Sequence, residues 1–417
     1  MQDGSINKVG GNLRKILLIT FVCKPNEGSE SGVGWNYINM IRNICKDDEI
    51  YVLVWKGENQ EELLSKYNKK FKFIFFDIEE SIKSKFKSDF NKGLKLMELY
   101  YIIWQKKALK YIKNTYGIDY FDIVQHITFV SATLPSYFIN LESNFIWGPI
   151  SSNKLIPYKI VDRKVAFLKL LAKDISKKLI RKMNYTFNKN LYKSKAVIIN
   201  TQSVAKELGI KREFHEVSSI GIEACINNNL EVKKKSKHLN IAFIGAFMDI
   251  KNYDLAIEGF AKYNKSFDKL SKLYLIGDGD SKSKKNVDRL IKLNEIENNV
   301  IRTGWINREA LMDLMKETVD ILLFPTCEQA GMVILESIRL GIPIVGLNFG
   351  GPKELTNGNG SELVDIDDKN TVVDNLAKAI IKIDKNYEYY SKEAIIQSEK
   401  YTWNSIEKRL YEIYKEI

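Results

Sequence analysis

The chain has 417 residues, of which 45% are hydrophobic and 28% charged, with 24 Gly and 7 Pro; this composition excludes disordered and collagen-like chains, and the length points to two domains. Lys and Arg number 64 against 52 Asp and Glu, and the excess is local: Lys159 to Lys195 holds twelve cations and two acids, and Lys83 to Lys113 nine lysines against Asp89 and Glu98. The rest of the chain is net acidic, so the charge speaks for two patches suited to a membrane surface or another polyanion.

Arg14 and Lys15 precede the apolar run Ile16 to Val22, which is too short for a secretion signal and reads as a first β-strand. No apolar stretch reaches the roughly 18 to 20 residues of a spanning helix. Further strands are expected at 50–54, 71–76, 122–125, 145–147 and 196–199, then at 240–244, 272–276, 320–324 and 343–347, with amphipathic segments between them. Short continuous apolar runs alternating with helical periodicity mark parallel sheets covered by helices. Between Val165 and Met183, Leu168, Leu171, Ile175, Leu179 and Met183 fall on one helical face among many cations. That face suits either a sheet or anionic head groups. The runs Asn227 to Asn229 and Lys233 to Lys235 break all periodicity, which predicts domains at 1–222 and 223–400. Ile406, Leu410, Ile413 and Tyr414, after Tyr401-Thr-Trp403, predict a last helix over 401–417.

Cys23, Cys45, Cys225 and Cys327 lack CxxC spacing and His126, His215 and His238 lack HxxxH spacing, so neither a disulfide framework nor a metal constellation is expected. The most specific stretch is 320–355. A strand ends at Pro325, a loop carries Glu328, and Gly331 allows a ligand to approach the backbone. A helix then starts near Met332 and stops at Gly341, and a second turn follows at Gly350-Gly351. The N-terminus of such a helix offers free N–H groups and a positive dipole end to a phosphate. Glu336, one turn inside, suits a ribose diol. Asp278 and Asp280 form an Asp-x-Asp string that reads as turn chemistry.

The pair Glu328/Glu336 with Gly331 between, the Gly350-Gly351 turn, Gly28-Ser-Glu-Ser-Gly-Val-Gly-Trp35, Gln125-His-Ile-Thr128, Trp147-Gly-Pro149, Gly245 to Lys251 and Gly277-Asp-Gly279 occur in an order that resembles the retaining glycosyltransferases of family four. The segment ending in Trp35 is similar to a bacterial subgroup that builds surface polysaccharides. The resemblance implies an α/β GT-B fold: two Rossmann-like domains facing across a cleft, with acceptors on the first, nucleotide sugars on the second, and a C-terminal helix crossing back to the first. It implies Glu328, His126 and Lys251 as catalytic residues, with Lys251 neutralising the diphosphate and Glu328 and His126 near the donor sugar. Glu336 would hold the ribose, and Gly331, Met332, Val333, Gly245, Asn252 and Gly277 would line the nucleotide sugar. Gly28, Gly32 and Gly34 would bring the first loop close to the diphosphate, with Glu30 facing the acceptor. Two departures stand out: Ala246 and Asn252 replace the family's usual Arg and Gly, and Ser151-Ser152 follow Gly-Pro where the subgroup often has glycines.

The expected reaction transfers a sugar, with retention, from a UDP- or GDP-linked donor to a glycan or lipid-linked acceptor, without a metal or other cofactor. Electrostatics and positioning carry it. The expected setting is the cytoplasmic face of a bacterial plasma membrane, met through Lys159 to Lys195, with no nucleic-acid partner. Two alternatives stay open: a catalytically silent GT-B partner of another transferase, favoured by Ala246, and a GT-B nucleotide-sugar epimerase, disfavoured by the sparse histidines.

Overall fold

The computed structural model describes residues 13–25, 29–56, 60–81, 94–151, 164–223, 232–328 and 331–417. Two compact units make up the chain. The first runs to residue 153, then from Ala172 to Ile220 and from Ile406 to Ile417; the second holds Gly221–Ser405 and the residues up to Leu171 that precede Ala172.

The sheet of the first unit contains β1 (Lys15–Ile19), β2 (Glu49–Trp55), β3 (Lys72–Phe76), β4 (Ile123–His126), β5 (Asn144–Ile150), β6 (Ala196–Ile199) and β7 (His215–Glu216). Its order is β3-β2-β1-β4-β5-β6-β7. The second sheet contains β8 (Asn240–Ile244), β9 (Lys272–Ile276), β10 (Val300–Gly304), β11 (Ile321–Phe324), β12 (Ile344–Leu347) and β13 (Ser361–Val364), in the order β10-β9-β8-β11-β12-β13. Among the described residues every pairing between these strands is parallel. Runs such as Ile16 to Ile19 and Ile321 to Phe324 are wholly buried, as expected of strands with helices on both faces.

In both sheets the strand order reverses beside the first strand, between β1 and β4 and between β8 and β11. In doubly wound sheets the crevice at the carboxyl edge of that reversal is where ligands bind. These two edges carry the motifs.

The strands that the apolar runs do not announce, β7, β10 and β13, are all outer strands. An outer strand needs less apolar side chain, and β10 reads Val-Ile-Arg-Thr-Gly with Ile301 and Arg302 exposed. The closing helix, Trp403–Lys415, buries Ile406, Leu410, Ile413 and Tyr414. From it the Tyr414 hydroxyl donates to Gln125 Oε1 at 2.6 Å within the first unit.

Candidate functional site

In the second unit, Gly245 follows β8 and Gly277 follows β9, at φ +147° and +136°. The two turns lie against each other so closely that a Cβ on Gly277 would stand 2.1 Å from the Gly245 carbonyl oxygen. Only glycine fits there. A Cβ on Gly245 would reach ordinary contact with Lys251, 3.7 Å from Nζ. Lys251 closes a short 3-10 turn, Asp249–Lys251. Its ammonium donates to Glu328 Oε2 and lies 5.1 Å above the Phe324 ring.

Asn252 explains itself. It adopts φ 50°, ψ 47° ahead of the helix Tyr253–Ser266, a left-handed conformation that glycine takes freely and asparagine tolerates. Its buried amide also donates to the Pro325 carbonyl at 2.7 Å and to Cys327 Sγ at 3.3 Å. The side chain thus ties the Lys251 turn to the loop carrying Glu328. Behind that loop, a Cβ on Gly350 would stand 2.2 Å from the Glu328 carbonyl oxygen, which accepts from Gly351 N–H.

The helix Met332–Arg339 begins where the motif suggests. Gly331, which precedes it, is at φ −168°, extended backbone open to any residue, so no conformational demand fixes glycine here. The N–H groups of Met332 and Val333 have no acceptor within the helix, whereas Ile334 N–H donates to the Gly331 carbonyl at 3.0 Å. Glu336 is buried one turn inside. Burial raises its pKa, and the Arg308 guanidinium, Nη2 2.7 Å from Oε1, opposes that rise. Arg308 was not readable from sequence, because it stands just after a helix cap, Asn307, in no recurring pattern.

Asp278 and Asp280 are turn residues. Asp278 accepts from Gly279 N–H at 2.8 Å and pairs with Lys284, while Asp280 caps the helix Ser281–Leu293 through Ser283 N–H. These partners hold both carboxyls below the usual range. Among the described residues no cluster of three or more His, Cys, Asp or Glu could hold a metal ion.

The first unit differs from expectation around Glu30. Gly28 lies outside the described residues, and Gly32 and Gly34 belong not to a loop but to the helix Ser29–Ile44. Gly34 serves packing: a Cβ would stand 2.4 Å from the Val22 carbonyl oxygen and 3.1 Å from Thr128. Glu30 accepts from Phe129 N–H at 2.5 Å and so steadies a left-handed turn, Phe129 at φ 56°. Burial raises the Glu30 pKa, countered by that bond.

His126 ends β4 beside β1, wholly inside the unit. Its Nε2 meets the Tyr101 hydroxyl at 2.5 Å, and that hydroxyl also donates to the Thr128 carbonyl at 3.2 Å. Burial lowers the His126 pKa to about 3, with the Thr128 backbone acting against it. The imidazole is therefore neutral. Among the described residues, Nδ1 and the Thr128 hydroxyl are buried without a hydrogen-bond partner. Gln125, whose neighbours only the fold brings together, also donates to the Gly148 carbonyl at 3.0 Å. Gly148 must be glycine, since a Cβ there would stand 2.1 Å from the Ile198 carbonyl oxygen. Ser151 accepts from Asn200 at 2.8 Å, and Ser152 lies outside the described residues.

Residues 227–397, most of the second unit, match the family described as glycosyl transferases group 1, and the whole chain has the GT-B fold. The lipopolysaccharide outer core galactosyltransferase WaaB in its apo form superposes with a TM-score of 0.62 at 15% identity, covering 97% of this chain and 100% of that one. Alr3699/HepE of Anabaena in complex with UDP gives a TM-score of 0.58 at 14% identity over 97% and 100%. In sequence, the N-acetyl-alpha-D-glucosaminyl L-malate synthase of Bacillus anthracis is 29% identical over 132 residues, 31% of this chain and 33% of that protein. The chain thus aligns with about a third of that relative's length.

Proposed function

We propose that the protein is a retaining glycosyltransferase that moves a sugar from a UDP- or GDP-linked donor to a glycan or lipid-linked acceptor in surface-polysaccharide synthesis. The observation that carries this reading is the convergence of Lys251, Glu328 and the N-terminus of the helix bearing Glu336 at the strand-order reversal of the second sheet. The match to group 1 glycosyl transferases over 227–397 supports it, as does the UDP complex of the Anabaena protein with the same fold.

In this reading Glu336 accepts the ribose diol, while the diphosphate lies between Lys251 and the N–H groups of Met332 and Val333. Lys251 has three N–H donors. It can hold Glu328 and turn another toward a phosphate, so the pair orients the lysine. As the sugar–phosphate bond breaks, charge grows on the departing diphosphate, and a fixed cation and helix dipole stabilise it without reorganising. The acceptor hydroxyl attacks from the same face and passes its proton to the leaving phosphate; no covalent nucleophile is needed. Ala246 leaves the site one cation short, the feature that favours the silent-partner reading.

The membrane setting rests on the helix Lys164–Met183. Its apolar stripe is not packed against a sheet: Leu168, Leu171, Ile175, Leu179 and Met183 are 40% to 83% exposed. Lys178 and Lys182 beside it are exposed as well. No helix among the described residues is long and apolar enough to cross a membrane; this one has the make-up to lie on an anionic surface.

Thermal-shift screening against UDP-, GDP- and other nucleotide sugars tests the proposal, because a ligand that binds only the folded chain raises its melting temperature. A donor that shifts the melting point should be consumed with an acceptor glycan and yield a product of unchanged anomeric configuration. Binding without turnover across an acceptor panel would favour the silent partner.

A further inference from the structure

The helix carrying Glu336 packs against the helices Gly350–Thr356 and Tyr387–Ser398 and against β12. Among the described residues the charge acting on the Glu336 carboxylate is Arg308. Lys251 pairs with Glu328, and Arg339, on the same helix as Glu336, pairs with Glu399 and meets Ser398. Arg308 arrives from a different element, as the first residue of the helix Arg308–Glu317. It makes one bond, Nη2 to Oε1 at 2.7 Å. A carboxylate has about four acceptor positions, so the second oxygen can still accept a diol with Arg308 in place.

We propose that Arg308 is a positioning residue of the donor site, holding Glu336 ionised and turned so that its other oxygen receives the ribose hydroxyls. This rests on the reading of Glu336 as the ribose carboxylate. An ion pair between two exposed side chains contributes little. Here one partner is buried, and removing the other leaves an uncompensated charge in a poorly solvated place. Such a carboxylate takes up a proton at higher pH, and in its protonated form it accepts one bond fewer. Arg308 therefore governs how far into the acid range the nucleotide is held.

Calorimetric titration with UDP alone and with GDP alone, at pH 8 and pH 5.5, tests this in wild type, Arg308→Ala, Arg308→Lys and Glu336→Ala. For whichever nucleotide binds, Arg308→Ala should lose about threefold relative to wild type at pH 8, the scale of a weak ion pair, and a clearly larger factor at pH 5.5, where more of its carboxylate is protonated. Arg308→Lys should recover most of the acid loss. Equal losses at both pH values would overturn the proposal while leaving the ribose reading intact. Unchanged affinity in Glu336→Ala would instead remove the ribose reading itself. A ligand-free arm stands beside these: urea unfolding of Arg308→Ala, Glu336→Gln and the double variant. Non-additive effects on the unfolding constant at pH 8 that shrink at pH 5.5 support the proposal, and additive effects at both overturn it.

Discussion

Single residues in this chain answer to very local demands, and those demands can be tested one at a time. Lys251→Ala and Glu336→Ala should each weaken nucleotide binding by roughly 1.5 to 3 kcal/mol, the scale of a charge-assisted hydrogen bond; calorimetry showing unchanged affinity in both would mean the site is elsewhere. Gly277→Ala should cost at least about 3 kcal/mol, because the residue sits at positive φ with the Gly245 carbonyl where its Cβ would go. Urea midpoints measure that, and loss of nucleotide binding should accompany it as the Lys251 turn shifts. His126 has a pH signature. It titrates at about 3 in the fold and near 6.5 in an unfolded chain, so it is neutral in both above pH 6.5. As the pH falls from there toward 3, only the unfolded state gains the proton. The stability that His126 contributes is complete above pH 6.5, and about 2 kcal/mol of it is lost between pH 7 and 5. Unfolding curves of wild type and His126→Gln at the two pH values should show that loss in the wild type alone.

At the scale of elements, what sequence revealed follows burial. Strands 196–199, 240–244 and 272–276 stand where their apolar runs lie, since a strand covered on both faces must be apolar throughout. Outer strands β10 and β13 escape that requirement and carry no continuous apolar run. The candidate site divides likewise. Glu328, Gly331 and Glu336 share one strand-loop-helix unit and were legible from spacing, whereas Arg308 and Tyr101 meet their partners from distant segments and leave no local pattern. The segment after β1 differs from its sequence pattern for a related reason: glycines at 32 and 34 suggest a loop, but both lie in the helix Ser29–Ile44, where Gly34 lets the helix press against the Val22 carbonyl. The basic helix 164–183 was ambiguous from periodicity, and its exposed stripe favours the anionic-surface reading. One cation leaves that group, since Arg181 donates to the carbonyls of Ala132 and Glu207 at 3.1 and 3.0 Å. Liposome sedimentation should therefore show binding that requires anionic lipid and falls when Lys177, Lys178 and Lys182 become Glu. Each cation near the surface contributes about 1 kcal/mol at low salt. Equal binding to neutral vesicles would reject the electrostatic part, and retention by the triple variant would reject the segment.

For the molecule as a whole, the closing helix decides whether the first unit is complete. Ile406 to Ile417 belongs to that unit although it follows the second in sequence, so the early chain cannot finish its core until these residues are made. The helix buries Ile406, Leu410, Ile413 and Tyr414, and a fully buried side chain of this kind contributes roughly 1.5 to 3 kcal/mol. Four of them approach the whole stability of an ordinary domain, about 5 to 15 kcal/mol. Ending the chain after Tyr401 should therefore unfold the first unit and leave the second folded. Hydrogen exchange followed by peptide mass analysis separates the two. Amides in β1, β4 and β5 should lose protection while those in β8, β9 and β11 keep it. A milder change isolates the polar part of the same contact: Tyr414→Phe keeps the ring but takes the donor from Gln125 Oε1, for about 1 to 2 kcal/mol. If the truncated chain keeps full protection in β4, the first unit completes its core without the helix, and the buried face of 406–414 then contributes far less than its area implies.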